Sequence, residues 1–494
     1  MLAQTLSASI LGVDGVPVCV EVDVAFGLPG LTIVGLPGSA VQEARERVRS
    51  AIRNSGYEVP ARRITVNLAP ADLPKEGTGY DLAIAIGILV ASGQVRNPGV
   101  ETALIGELAL DGALRPIAGA MALVAAVGEA AIGSAIVAPG NRWEAAAVRG
   151  VAVHAAHTLG EAIGHISGAH PLPRVEPTPL SDAGSADAPD LRDLAGQPLA
   201  RRALEIAIAG GHNLALVGPP GVGKTLLLRC AAGLLPPLRD DEAIEVSRIY
   251  SVAGLADRRR PLTRRRPFRA PHHTISTQAL VGGGARVRPG EASLAHRGVL
   301  FLDEALQFRS DALDALRQPM EAGCVSIARV DGALQLPARF TLLLAFNPCP
   351  CGWRNSGTGL CRCDDAVARR YATRLSAPMR DRIDLWVQMT PASRRRTSLD
   401  GNEPSSVVAR RIARAWERRD ERAGTNFAFT ASSLGLERKV TADLERSARH
   451  YRLSARRVDG MARVARTIAD LEGAAIVSVD HVREAMNYRE RHSK

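Results

Sequence analysis

A glycine-rich run of eight residues ends in a lysine and a threonine, which is the composition of a phosphate-binding loop. It follows the apolar segment 213–217, which predicts a strand, and precedes a predicted helix that begins near Leu226. Glycines let backbone N–H groups approach phosphates, and the start of a helix adds positive potential. The lysine would reach the β- and γ-phosphates of ATP, and the threonine would bind Mg²⁺. The residues of this predicted site for ATP and magnesium are Gly218, Pro219, Pro220, Gly221, Val222, Gly223, Lys224 and Thr225.

Two further apolar segments, 299–302 and 341–346, each end in polar side chains. Both segments predict buried parallel strands, whose carboxyl ends meet at one edge of a sheet, where ligands usually bind. Asp303 is expected to hold Mg²⁺, and Glu304 to orient or deprotonate the attacking water. Asn347 is a polar group able to fix that water in place. Together with the loop, these side chains predict hydrolysis of ATP.

The cysteines are concentrated in one short part of the chain, because four of the seven fall between residues 349 and 363. They form two C-x-C pairs separated by nine residues. Tetrahedral Zn²⁺ is the natural occupant of four thiolates. The alternative is a loop of four reduced thiols without a metal, and the spacing alone leaves both interpretations open. The candidate zinc ligands are Cys349, Cys351, Cys361 and Cys363.

Length and composition set limits on the architecture and on the partners. A chain of 494 residues is too long for one hydrophobic core. Its formal net charge of +11 permits binding to a polyanion without establishing it. The longest apolar run, 82–91, is shorter than the roughly 20 residues needed to cross a bilayer. No basic segment followed by a long apolar stretch begins the chain, so we expect a cytoplasmic protein without a membrane partner.

Composition and periodicity divide the chain into segments. Residues 1–168 mix predicted strands and helices, which indicates an α/β domain. Residues 169–190 and 391–405 are polar and rich in proline or glycine, and both read as linkers. Between them, residues 191–390 alternate apolar strands with helices, the pattern of a parallel sheet. Residues 406–494 show no strand pattern and are predicted to be helical.

These motifs belong to a longer series that resembles the ComM/YifB subfamily of magnesium-chelatase-like AAA+ ATPases. The resemblance implies an AAA+ core in residues 191–390 with a magnesium-chelatase-type insert, a helical lid in 406–494, and Asn347 at the sensor position. It also implies a homo-oligomeric ring, expected to be a hexamer, in which each ATP site lies between subunits. Besides the phosphate-binding loop, the series comprises residues 27–37, 64–77, 212–213, 268–274, 280–284, 289–296, 298–304, 316–321, 347–352 and 464–471.

Two arginine assignments follow from the same resemblance. Arg382, in the matching stretch 375–385, is the candidate finger that completes the ATP site of a neighbouring subunit. Its alternative is a surface ion pair with Asp381 or Asp384. Arg456 is similar to the second sensor, an arginine on the lid that reaches the γ-phosphate. Adjacent Arg457 leaves the register of that match open.

The first 168 residues resemble a Lon-protease-type domain, which has the ribosomal S5 domain 2-like α/β fold. Lon chemistry needs a serine nucleophile and a lysine base. Gly79 stands where the serine should be, and the stretch 120–122, which should carry the lysine, reads Ala-Met-Ala. The resemblance therefore implies a degenerate domain that binds or builds the ring, and not a protease.

A basic segment between the two nucleotide motifs bears on what the expected ATPase would act on. Its arginines and histidines are the kind of residue that tracks a phosphate backbone, and the alternative is a solvated basic loop. Similarity to ComM implies DNA remodelling of single-stranded or branched DNA, as a helicase or branch-migration motor in recombination or DNA uptake. A chelatase-like motor and a protein-remodelling motor remain the alternatives. The basic residues are Arg258, Arg259, Arg260, Arg264, Arg265, Arg266, Arg269, His272 and His273.

Overall fold

A computed structural model describes residues 1–180, 188–284, 287–329, 332–391, 402–422, 434, 436–451 and 453–490. The chain forms two compact units. The first contains Met1–Asp182 and the later segment Arg239–Arg264, and the second contains Ala183–Leu238 and Arg265–Lys494. Residues 181–187 and 392–401 of the predicted linkers lie outside the described residues.

The first unit is built on a mixed sheet of seven strands in the order β3-β4-β2-β1-β5-β8-β9. β2 pairs antiparallel with both of its neighbours, β1 and β4, and the other pairings are parallel, so β2 runs against the other six strands. The elements are β1 (Leu2–Leu11), β2 (Asp14–Ala25), β3 (Gly30–Val34), α1 (Ser39–Asn54), β4 (Arg63–Ala69), α2 (Asp81–Ala91), β5 (Thr102–Ile105), β6 (Glu107–Leu108), β7 (Leu114–Arg115), α3 (Ala120–Glu129), β8 (Ser134–Val137), α4 (Arg142–Ala145), β9 (Ala152–Ala155) and α5 (Leu159–Ser167).

Hydrophobic patterning explains how this sheet is covered on both faces. All residues of α2 are buried, so the apolar run 82–91 is the central helix of the first unit's core. α1 buries Val41, Ala44, Val48 and Ile52, which recur at the three- and four-residue spacing of one helix face. α3 contributes to a second cluster on other side chains of the same sheet. The α/β character expected for this part of the chain is confirmed.

The second unit begins with α6 (Pro198–Gly210), β10 (Leu214–Val217), α7 (Lys224–Arg229) and α8 (Ala231–Leu234). The chain then enters the first unit as α9 (Asp240–Val252) and returns after Arg264. The remaining elements are β11 (Phe268–Arg269), α10 (Thr277–Val281), β12 (Gly282–Gly283), β13 (Arg288–Pro289), α11 (Glu291–Leu294), β14 (Val299–Leu302), α12 (Ser310–Ala315), α13 (Arg317–Ala322), β15 (Cys324–Arg329), β16 (Gly332–Pro337), β17 (Thr341–Phe346), α14 (Asp365–Ala372), α15 (Ala377–Arg380), β18 (Leu385–Gln388), α16 (Ser405–Glu421), α17 (Arg438–Tyr451), α18 (Ala455–Glu472) and α19 (Val479–Asn487).

The excursion through α9 joins the first unit by its apolar face. Ala243, Val246 and Ile249 recur every three residues on α9, and all three are buried. The carbonyl oxygen of Ser251 accepts a hydrogen bond of 2.9 Å from the backbone N–H of Gly119, the residue before α3. The first unit is therefore completed by a segment that follows the phosphate-loop helix in the sequence.

A parallel sheet in the order β11-β14-β17-β10-β18 forms the centre of the second unit. Because every pairing is parallel, the strands share one carboxyl edge and one amino edge. The helices α16, α18 and α19 share a hydrophobic cluster with β10, β17 and α6. The parallel sheet and the helical C-terminal part are both confirmed. Among the described residues, no helix combines the length and the apolar character needed to span a bilayer.

Candidate nucleotide-binding site

The glycine-rich run connects the end of β10 to the start of α7. Gly221 and Gly223 have φ angles of +79° and +91°, which favour glycine. A Cβ on Gly223 would lie 2.4 Å from Cδ1 of Leu194, so this turn also needs the small residue. α7 begins at Lys224, and its first N–H groups therefore face the loop. The local structure is that of a loop able to hold phosphates.

Lys224 is 8% exposed, and its ammonium group lies against this loop. Its Nζ donates to the carbonyl oxygens of Gly218 and Pro219 at 2.6 and 2.8 Å, and to Oδ1 of Asn347 at 3.0 Å. Three acceptors match the three donors of an ammonium group. Burial lowers the pKa of Lys224 to about 8, against the opposing effect of Asp303 and Glu304.

Two predicted magnesium ligands meet beside the lysine. Thr225 Oγ1 donates a hydrogen bond of 2.9 Å to Oδ2 of Asp303. Asp303 directly follows β14, and Asn347 directly follows the neighbouring strand β17. A hydroxyl and a carboxylate are oxygen ligands of the kind that Mg²⁺ prefers. The structure thus brings Lys224, Thr225, Asp303 and Asn347 together at the carboxyl edge of the sheet.

Glu304 stands at the same edge with its carboxylate turned to solvent. Its φ angle is +48°, an uncommon value for a residue with a side chain, and its side chain is 64% exposed. Nδ1 of His273 lies 3.9 Å from Oε2 of Glu304. In the sequence, His273 belongs only to the basic segment. Because β11 is a short strand beside β14, the residues that follow β11 reach the same edge as Glu304.

Arg382 lies at the opposite, amino edge of the sheet. Its carbonyl oxygen accepts a hydrogen bond of 2.8 Å from Nδ2 of Asn213, the residue before β10. β10 is four residues long, so the two edges are separated by about 13 Å of strand. The guanidinium donates to the Glu321 carboxylate and to the Pro378 carbonyl oxygen. The ion pair expected as the alternative for Arg382 thus forms with Glu321, and not with Asp381 or Asp384.

Arg456 donates to the same Glu321 oxygen as Arg382. The hydrogen bond from Arg456 lowers the pKa of Glu321. Arg457 is held elsewhere, because it contacts Asp381 at 2.9 Å and Glu490 at 2.7 Å and its side chain is only 18% exposed. Arg382 and Glu321, together with Arg317, line a cavity of about 600 Å³.

The four clustered cysteines also converge. Their Sγ atoms all lie within 4.8 Å of one another, and the Sγ of Cys349 is 3.4 Å from that of Cys351 and 3.8 Å from that of Cys361. These distances exclude a disulfide, whose S–S bond is about 2.05 Å. Backbone hydrogen bonds lower the pKa of Cys351 to about 6, which favours the thiolate form that binds metals.

Comparisons with known proteins cover almost the whole chain. The model "Magnesium chelatase, subunit ChlI" matches residues 190–397, "Subunit ChlI of Mg-chelatase" matches 20–141, and "Magnesium chelatase, subunit ChlI C-terminal" matches 402–489. The chain is 45% identical to the protein YifB of Escherichia coli over 97% of its own length and 95% of that protein. It is 41% identical to the competence protein ComM of Haemophilus influenzae over 99% of its length and 97% of ComM.

The chain belongs to the YifB/ComM family of magnesium-chelatase-like AAA+ ATPases. The resemblance seen in the sequence is thereby confirmed. YifB of Salmonella typhimurium is a further relative, 43% identical over 99% of this chain and 97% of that protein. The two nucleotide motifs of this family member and its candidate finger all fall within the segment 190–397.

In the structure of this family member, the residues of the basic segment are divided between the two units. Arg258, Arg259 and Arg260 are exposed in the first unit. Arg266, in the second unit, is 6% exposed, donates to the carbonyl oxygens of Pro236 and Arg297, and lies over the ring of Trp416. Arg269 pairs with Glu291 at 2.6 Å. Arg266 is thus packed in the core and Arg269 is already bound, so neither supports the expectation that this segment tracks a phosphate backbone.

The residues compared with Lon proteases, Gly79 and 120–122, lie in the first unit together with their neighbours Lys75 and Thr78. Lys75 is fully buried, donates to the Pro70 carbonyl oxygen and has a pKa lowered by burial. Thr78, beside Gly79, donates from Oγ1 to Oε2 of Glu107 at 2.5 Å. Ala120, Met121 and Ala122 form the buried start of α3. The absence of protease activity stays a prediction.

Proposed function

We propose that this member of the YifB/ComM family hydrolyses ATP in a ring of identical subunits, expected to be a hexamer, and uses the energy to remodel DNA. The observation that carries the proposal is the assembly of Lys224, Thr225, Asp303 and Asn347 at one sheet edge. Lys224 would bind the β- and γ-phosphates, and Thr225 and Asp303 would hold Mg²⁺, which neutralises phosphate charge. Glu304 would take the proton of the attacking water, and Asn347 would orient that water.

The position of Arg382 supports a site shared between subunits. It lies about 13 Å of strand away from the phosphate loop of its own chain, at the other edge of the sheet. An arginine so placed can reach the γ-phosphate bound by a neighbouring copy. Arg456 contacts the same Glu321 oxygen, so we assign both arginines to the neighbour's site. Arg457, held by Asp381 and Glu490, is left out of it.

DNA is the proposed substrate of the motor. Arg258–Arg260 form an exposed run on the first unit, and Asp257 accepts hydrogen bonds from the backbone N–H groups of Arg259 and Arg260, which leaves the guanidinium groups outward. Consecutive exposed arginines bind phosphates with little sequence preference. A full-length relative bears the name competence protein. We also propose that the four cysteines bind zinc, because their donor set suits that ion.

The test measures ATP turnover of the full chain alone and with single-stranded DNA, branched DNA or an unfolded protein. We expect stimulation by DNA, and by branched DNA most. A variant with Arg258, Arg259 and Arg260 changed to serine should lose that stimulation while keeping basal turnover. The matched control removes the same charge from α17, at Arg438, Arg446 and Arg449, which are exposed. Stimulation by unfolded protein alone would identify a protein-remodelling motor and refute the assignment to DNA.

A further inference from the structure

The cysteine cluster has the dimensions of a tetrahedral zinc centre. With Zn–S bonds of about 2.3 Å, the sulfur atoms of a tetrahedron lie about 3.8 Å apart. Three of the Sγ–Sγ distances here are 3.4, 3.8 and 3.7 Å. Cys349 is buried and Cys351, Cys361 and Cys363 are half-buried, so the centre would be partly shielded from solvent.

The same cysteine turn touches the phosphate loop. Gly352, next to Cys351, has a φ angle of +84°, and its backbone N–H donates to the Cys349 carbonyl oxygen at 2.9 Å. A Cβ added to Gly352 would lie 2.7 Å from Cδ of Pro220 and 3.6 Å from Cγ of Asn347. The main chain of the turn is therefore in van der Waals contact with the loop that holds the candidate phosphate site.

The turn is also joined to the site through the chain. Cys349 follows Asn347 by two residues, and Asn347 accepts the hydrogen bond from Lys224. The residues between the two cysteine pairs include Gly357 and Gly359, both with positive φ angles. Closing such a glycine-rich loop costs conformational entropy, which metal coordination can offset.

We propose that zinc bound by the four cysteines clamps the turn 349–352 against Pro220 and thereby sets the position of Asn347 beside Lys224. ATP affinity then depends on zinc occupancy. The inference rests on the proposed nucleotide site and adds to it a zinc-dependent contact that positions Asn347.

The experiment compares the full wild-type chain with Cys361→Ser and Cys363→Ser by elemental analysis and by equilibrium binding of a fluorescent ATP analogue. We expect one zinc per wild-type chain, loss of zinc in both variants, and affinity for the analogue about tenfold or more weaker. Cys324→Ser is the matched control, since Cys324 is a half-buried cysteine outside the cluster. It should keep the zinc and the affinity.

A second variant decides the matter if the cysteine variants fail to fold. Gly352→Ala keeps all four ligands but places a methyl group against Pro220. We expect it to retain one zinc and still bind the analogue more weakly. Wild-type chains with well under one zinc, zinc-free cysteine variants with unchanged affinity, or Gly352→Ala with unchanged affinity would overturn the clamp. Failure of the zinc-loaded wild type to bind the analogue at all would instead refute the proposed nucleotide site.

Discussion

The carboxyl and amino edges of the parallel sheet in the second unit differ in how well the hydrogen-bond donors of their charged side chains are matched by acceptors. At the carboxyl edge, Lys224 donates to three oxygens and Thr225 to Asp303, so these donors are satisfied within one chain. At the amino edge, Arg317 and Arg382 line a cavity with Asp314 and Glu321, and Arg456 shares the same Glu321 oxygen. Within the part of the chain that the structure describes, Nε of Arg317 and Nε of Arg382 are buried without a hydrogen-bond acceptor.

This difference bears on the roles of the two edges. Where donors and acceptors are matched, as at the carboxyl edge, the arrangement is stable within a single subunit. Three guanidinium groups facing two carboxylates leave an excess of positive charge, which an incoming anion would stabilise. This charge distribution agrees with the proposal that the carboxyl edge binds ATP and that the amino edge contacts the phosphates bound by another copy.

Replacement of Arg382 should give the largest effect. Arg382→Ala removes the proposed transition-state charge and should lower kcat by about 10³-fold or more, while ATP affinity stays near the wild-type value. Steady-state turnover and equilibrium binding separate the two quantities. Mixing this variant with Lys224→Ala should restore some turnover, because each supplies the edge that the other lacks. Normal turnover by Arg382→Ala alone would show that the two edges do not cooperate between subunits; Arg446→Ala is the exposed control.

Glu304→Gln tests the carboxyl edge, with an expected loss similar to or somewhat smaller than that of Arg382→Ala. The amide cannot accept the proton of water, so turnover should fall by about 10²- to 10⁴-fold while ATP remains bound. Single-turnover measurements check this. His273→Asn should have a weaker effect, since His273 Nδ1 is 3.9 Å from the carboxylate and can only position it. Equal losses in both variants would assign His273 a direct part in the reaction.

Glu321→Gln tests whether the amino edge is pre-arranged. It keeps the shape but removes the charge that both Arg382 and Arg456 contact. We expect kcat to fall by about tenfold, equivalent to about 1.4 kcal/mol of lost positioning. Glu445→Gln, on the exposed face of α17, is the matched control. An increase in kcat would mean that Glu321 restrains the arginines instead of orienting them.

The pH dependence of ATP binding should give the smallest effect. Burial lowers the pKa of Lys224 to about 8 in the free site, and only the ammonium form attracts phosphate. As the pH rises above about 8, the free site loses its proton, so affinity should weaken by up to about tenfold per pH unit. Titration calorimetry at several pH values measures the slope. Lys439→Ala, in the exposed part of α17, should leave it unchanged, and a constant affinity across this range would contradict the assignment.

Contiguous patterns in the sequence predicted the carboxyl edge well. The apolar segments 299–302 and 341–346 coincide with β14 and β17, because a strand buried on both faces must be apolar throughout. Residues 103–110 form one β-rich run in the sequence, but the structure divides it: β5 ends at Ile105, and Gly106 separates it from β6. A glycine within a strand pattern weakens the pairing.

The amino edge could be predicted only in part, because its residues come from distant segments. Glu321 and Arg456 are 135 residues apart, and no local spacing indicates that they meet. The resemblance suggested Arg382 and Arg456 individually but not the carboxylate that both contact. The sequence also did not predict that α9 belongs to the first unit. The helical period of a sequence shows which face of a helix is buried but not the core against which that face packs.

Because residues 239–264 belong to the first unit, that unit cannot be removed by a single deletion at the start of the chain. Deleting residues 1–182 would leave α9 attached to the remaining protein with Ala243, Val246 and Ile249 stripped of their cover. Loss of activity in such a truncation would then report insolubility and not the role of the deleted part. A faithful exchange of the first unit between relatives must transplant two separate stretches at once, with junctions near residues 182, 239 and 264.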